Sequence, residues 1–153
     1  MKQVFLLTAA AAVLASAAQA VEFNKDAMKS MQEEGLKIVE ETQGARNYKT
    51  ANGFCLDMAG NGLVVRKCNA GSRTQKWILD SQTRLVAHDG RCVTGPQLSQ
   101  CGSGKAQKWQ YDKQQRLANQ NNACLQVQAS PPSEGAKVGV AACKDKVAAQ
   151  VWK

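Results

Sequence analysis

The spacing of hydrophobic and polar positions changes character near residue 46. Residues 4–18 are almost wholly apolar, behind a positive Met1-Lys2 start and ahead of the small-x-small pattern Ala18-Gln19-Ala20. That combination predicts a secretory signal peptide over residues 1–20. The run is shorter than the roughly 20 residues a membrane-spanning helix needs, and no later stretch is apolar enough to span a bilayer. Over residues 21–45 the period is helical, with Met28, Met31, Gly35, Ile38 and Thr42 on one face and Glu33, Glu34, Glu40 and Glu41 opposite. Asn24 is placed to cap the first turn, Phe23 and Met28 to close over it, and Gly44 to end the helix. Gly35 and Thr42 interrupt the stripe, so this helical segment is expected either to pack on the rest of the chain, to fray, or to meet a partner.

From Tyr48 onward the pattern shortens to apolar segments bounded by Gly, Asn, Asp and Ser, the texture of an all-β protein with tight turns. Strands are predicted at 54–58, 63–67, 76–79, 85–87, 91–94, 108–111, 117–119, 124–128, 137–141 and 151–153. Turns are predicted at Gly60-Asn61-Gly62, His88-Asp89-Gly90 and Asn121-Asn122. The segments repeat. Gln75-Lys76-Trp77, Gln107-Lys108-Trp109 and Gln150-Val151-Trp152 contain all three tryptophans, spaced 32 and 43 residues apart. After Trp77 come Asp80, Arg84, Leu85 and Cys92; after Trp109 come Asp112, Arg116, Leu117 and Cys124, at identical steps. A fixed period of this size signals units that bury their apolar faces together. The longer second spacing places an insertion at Ala129-Ser130-Pro131-Pro132-Ser133-Glu134-Gly135, a turn-forming composition. Seven residues before each unit's first cysteine stand Tyr48, Leu85 and Leu117. The segment around Tyr48 can therefore supply the strand missing after Trp152, sealing three units into a ring without exposed sheet edges.

Cysteine and charge sharpen this picture. The six cysteines would be exported to an oxidising compartment, where an even number usually means disulfides. Six allow 15 pairings, and the repeat selects among them, because each unit owns two: Cys55 and Cys68, Cys92 and Cys101, Cys124 and Cys143. Zinc is the competing use, but there is no C-x-x-C pair and His88 is the single histidine. Neither a metal nor a cofactor is expected. Residues 21–45 carry a net charge of −3 and residues 46–153 one of +10. A field of that sign draws anionic partners, here acidic glycans, lipid head groups or an acidic protein rather than nucleic acid.

Three units of this kind resemble the ricin B-type lectin family. The motifs run from Cys55-Leu56-Asp57 to Gln75-Lys76-Trp77, from Cys92-Val93-Thr94 to Gln107-Lys108-Trp109, and from Cys124-Leu125-Gln126 to Gln150-Val151-Trp152. The resemblance spans residues 46–153 and implies a β-trefoil, with the tryptophans in the core and each motif glutamine bonding the backbone of its unit. It also implies where sugar would bind: an Asp two residues after the first cysteine, a polar residue four before the second, an aromatic two before it, and an Asn preceding the motif Gln. The first unit has Asp57, Val64, Arg66 and Thr74 at these positions. The second has Thr94, Gln97, Ser99 and Ala106, and the third Gln126, Gly139, Ala141 and Ala149. No unit keeps the stacking aromatic. Asp57 with Gln75 is what remains of a pocket, and Arg66 beside it suits an anionic ligand.

These residues point to a secreted or periplasmic recognition module without catalysis, binding cell-surface or acidic glycans through Asp57, Arg66 and Gln75. The family also implies an alternative, an accessory or adaptor subunit of a secreted toxin or hydrolase assembly that binds a protein. Catalysis has little to stand on: His88 fits a turn, the cysteines are accounted for, and the acids are scattered.

Overall fold

The computed structural model describes residues 25–42 and 44–153, with the side chains of residues 35–42 outside that description. The signal peptide at 1–20 and the Phe23 and Asn24 cap lie outside the described residues, as do the burial of Gly35 and the side chains of Ile38 and Thr42. Helix α1 spans Lys25–Thr42. Its Met28 and Met31 are 54% and 71% exposed, so the start of the expected stripe is not buried against the strands.

Ten antiparallel strands follow: β1 (Phe54–Ala59), β2 (Gly62–Lys67), β3 (Trp77–Leu79), β4 (Leu85–Ala87), β5 (Cys92–Thr94), β6 (Gln97–Ser99), β7 (Trp109–Tyr111), β8 (Leu117–Asn119), β9 (Ala123–Val127) and β10 (Lys137–Ala142). They run in the order β3-β4-β5-β6-β2-β10-β9-β8-β7, with β1 paired to β2. The protein is a β-trefoil in which β1–β2, β5–β6 and β9–β10 are the three hairpins. Two expectations needed adjustment. Strand β6 lies outside the predicted strands, its three residues carrying little pattern of their own, yet Ser99 pairs with Cys92 and Leu98 with Val93. The closing strand at 151–153 shrinks to one reciprocal pair, Lys49 N–H to Lys153 O at 2.8 Å and Lys153 N–H to Lys49 O at 2.6 Å. That pair joins the two ends as the Tyr48 register implied.

The core is built in threes. Trp77, Trp109 and Trp152 are buried, as are Tyr48, Leu85 and Leu117, and Leu56, Val93 and Leu125. A buried indole N–H needs an acceptor. Each finds the carbonyl of the residue after its unit's first cysteine: Leu56 at 3.0 Å, Val93 at 2.9 Å and Leu125 at 3.1 Å. The turn entering each hairpin is also repeated. Gly53, Gly90 and Asn122, each two residues before a first cysteine, have φ of 90°, 83° and 61°. This left-handed region favours glycine, then asparagine, which explains the residue types. The disulfides join Cys55 to Cys68, Cys92 to Cys101 and Cys124 to Cys143, the pairing within units that the repeat selects.

The insertion breaks the threefold symmetry. It lies between β9 and β10, and its far end lengthens β10 so that it pairs with β2 through Lys137↔Val64 and Val138↔Leu63. Gly135 N–H donates to Val65 O at 2.7 Å and Val65 N–H to Ala136 O at 2.9 Å. Between β2 and β6, by contrast, a single register pair forms, Gly62↔Gln97. The first and third hairpins thus form one continuous four-stranded stretch of the sheet, β1-β2-β10-β9.

Candidate functional site

Each motif glutamine is a buried brace with the same three connections. Its Oε1 accepts from the N–H just after the second cysteine: Asn69 at 2.9 Å, Gly102 at 2.6 Å and Lys144 at 3.0 Å. Its Nε2 donates to the carbonyl just before that cysteine: Lys67 at 3.0 Å, Gln100 at 2.9 Å and Ala142 at 2.9 Å. Nε2 also donates to the side chain two residues after the first cysteine: Asp57 Oδ2 at 3.0 Å, Thr94 Oγ1 at 2.7 Å and Gln126 Oε1 at 2.8 Å. A short 3-10 turn delivers the glutamine each time, at Arg73–Gln75, Lys105–Gln107 and Ala148–Gln150. An amide can meet all three demands because it carries an acceptor and two donors on one planar end.

The structure brings Asp57, Arg66 and Gln75 together. Asp57 is buried on β1, its Oδ1 accepting from the Met58 N–H at 2.7 Å. Gln75 commits both amide hydrogens, one to Asp57 and one to Lys67, so toward a ligand its part is to hold the carboxylate. Arg66 on β2 leans over the carboxylate, with Nη1 3.7 Å from Asp57 Oδ2 and donating to Met58 O at 3.3 Å. Its side chain is 48% exposed, against 4% for that of Asp57. It stands where the family's stacking aromatic would be.

The other units offer different chemistry. In the second, Thr94 and Ser99 share a hydrogen between their hydroxyls at 2.5 Å, and both accept from Gln107. In the third, Gln126 serves Gln150, and the Gln128 amide lies over Gly139 so closely that a Cβ there would collide with it. Only the first unit has a carboxylate two residues after its first cysteine, the bidentate acceptor that pairs of sugar hydroxyls call for. A groove of about 580 Å³ lies elsewhere, lined by Leu79, Lys108, Gln110, Tyr111 and Gln120 among others, and contains no carboxylate.

Asp80, Asp89 and Asp112 hold turns. Asp80 Oδ1 accepts from the Gln82 and Arg84 N–H groups, and Asp112 Oδ1 from those of Gln114 and Arg116. Partial burial alone would raise these carboxyls. The backbone N–H and guanidinium of Arg84 and of Arg116 outweigh it and hold both below the usual carboxylate range. Asp89 is lowered in the same way, with burial opposed by the Arg91 N–H and guanidinium. Among the described residues no group of three or more His, Cys, Asp or Glu is arranged to hold a metal.

Residues 90–153 match the family described as the ricin-type beta-trefoil lectin domain. The resemblance to the ricin-type trefoil lectin domain is borne out. Among solved structures, a non-toxic homologue of type II RIPs from Momordica charantia (bitter gourd), in complex with α-methyl-D-galactoside, is 17% identical with a TM-score of 0.62, covering 71% of this chain and 46% of that one. The agglutinin from Abrus precatorius is 21% identical with a TM-score of 0.63, covering 71% and 47%. The β-trefoil lectin of the Vibrio vulnificus hemolysin/cytolysin, with N-acetyl-D-lactosamine bound, is 24% identical with a TM-score of 0.56, covering 71% and 91%. The chain spans about half the length of the first two. No curated protein matches it. At these identities the likeness is one of fold.

Proposed function

We propose that this chain is an exported, non-catalytic recognition module whose residues 46–153 bind glycans through the first unit, behind a signal peptide at 1–20 and a helical segment at 21–45. Asp57 accepts hydroxyl hydrogen bonds from a galactose-type ring, Gln75 keeps its carboxylate in place, and Arg66 meets an anionic group. The observation that carries this reading is how lightly Arg66 is held. Both its contacts are long and the side chain is half exposed, so swinging it aside costs on the order of 0.2–1 kcal/mol. An ion pair from this half-exposed guanidinium to a ligand carboxylate or sulfate returns a comparable amount, about 0.2–1 kcal/mol. Moving Arg66 from Asp57 onto an acidic sugar is therefore close to neutral, which leaves the site free to open for one. The three disulfides support an oxidising location, periplasmic or extracellular.

A glycan array probed with the full chain and with Asp57→Asn tests this reading. The substitution keeps an oxygen for the Met58 N–H but turns an amide donor toward Gln75 Nε2, so the thermal midpoint of the variant is measured alongside its binding. Binding to acidic glycans that is lost in the variant is expected; equal binding by both proteins would remove Asp57 from the site. The exposure of Met28 and Met31 on α1 favours a second reading, in which this helix docks the module as an accessory subunit onto a protein of a secreted toxin or hydrolase assembly. Stoichiometric co-purification that disappears with Met28→Lys/Met31→Lys would support it.

A further inference from the structure

The sheet register places a cation of the third unit beside the site of the first. Side chains directly opposite on neighbouring antiparallel strands share a face. Asp57 is opposite Val64, and Val64 is opposite Lys137, so these three form one row across β1, β2 and β10. Arg66, two residues along β2, points to the same face, diagonal to Lys137. The row continues to β9, where the Gln128 N–H donates to Lys137 O at 2.8 Å and Gln126 is opposite Gly139. Pairing between β2 and β10 is a consequence of the lengthened third hairpin; the second hairpin meets β2 at Gly62 and brings the neutral Gln97 to that face instead of a cation.

We infer that Lys137 completes the first-unit site and that the ligand is an acidic oligosaccharide of at least two rings. This rests on the glycan reading proposed above. Asp57 and Lys137 are two strand spacings apart along the backbone, about 10 Å. A ring whose hydroxyls meet Asp57 lies beside Arg66, and a second ring extends over Val64 toward the Lys137 ammonium. The face carries one buried carboxylate and two exposed cations, Arg66 and Lys137. The acid of the insertion, Glu134, is turned toward Lys67 at 4.0 Å. An anionic group held between the guanidinium fork and the lysine point charge meets both, while the Gln128 amide over Gly139 lines the next stretch of the face.

Calorimetric titration of the full chain with galacturonate, digalacturonate and neutral galactobiose tests the inference. Digalacturonate should bind more tightly than either of the others. Lys137→Ala should weaken digalacturonate about two- to fivefold, as for loss of one exposed charge contact, and flatten its salt dependence. The thermal midpoint should stay unchanged, galactobiose should lose less affinity than digalacturonate, and Lys137→Arg should restore the affinity. If Asp57→Asn abolishes binding but Lys137→Ala changes neither affinity nor salt dependence, the extension to Lys137 is wrong and the first-unit site stands. If Asp57→Asn has no effect either, or no probe binds, the glycan reading falls and this inference with it.

Discussion

Replacing Gln150 by alanine isolates the architectural part of the motif from any part in recognition, because the third unit has Gln126 where the first has a carboxylate. Gln150 is 1% exposed. The substitution deletes the bonds to Gln126 at 2.8 Å and Ala142 at 2.9 Å, and the bond from Lys144 at 3.0 Å. At a net ~1 kcal/mol each these amount to about 3 kcal/mol, and the vacated volume with its unsatisfied carbonyl raises the loss to about 3–4 kcal/mol. For a trefoil of this size that corresponds to a fall in Tm of roughly 12–16 °C. Urea unfolding followed by tryptophan fluorescence measures it directly, since Trp152 stands two residues from the brace. Gln150→Glu should be no better than alanine: it has the same shape but turns an acceptor toward Ala142 O and Gln126 Oε1. A loss below about 1 kcal/mol for Gln150→Ala, or full stability in Gln150→Glu, would refute the brace as the element that holds the unit. Glycan binding at the first unit, measured below the transition, should be unaffected.

Two further outcomes follow from the turns. Gly90 has a φ of 83° with open space around its missing Cβ, so Gly90→Ala should cost about 1–2 kcal/mol through backbone strain alone, and Gly90→Asn less, as Asn122 already occupies the equivalent turn. Urea midpoints compare the two; equal costs would contradict this account. Asp80, Asp89 and Asp112 have folded-state pKa values below their unfolded value of about 3.9. Their contribution is therefore complete above about pH 4 and is lost as pH falls through the depressed folded values. Urea midpoints should drop over that acid window, and more shallowly in Asp80→Asn/Asp112→Asn; an unchanged acid limb in the double variant would exclude these turns as its source.

Much of the architecture was legible because it repeats. Three Gln-x-Trp motifs, paired cysteines and Tyr48, Leu85 and Leu117 at one offset specify a local unit, and a unit's hydrogen bonds are short-range consequences of its own residues. Even the glutamine's three partners lie at fixed steps from its cysteines. Strand β6 escaped because three residues after Gly95-Pro96 carry too little pattern to announce a strand, which only pairing with β5 creates.

The candidate site divides the same way. Asp57, Arg66 and Gln75 were readable because they belong to one hairpin and its motif, and the sequence determined their types. Whether Gln75 faces a ligand or is consumed as a brace depends on which acceptors surround it, and only the folded packing decided that. Lys137 gives no local sign of belonging to the first unit, from which it is separated by some 70 residues of chain. Its place beside Val64 is set by the insertion that lengthens β10 and by the register of β2 against it, and register between distant strands is a property of the whole folded sheet.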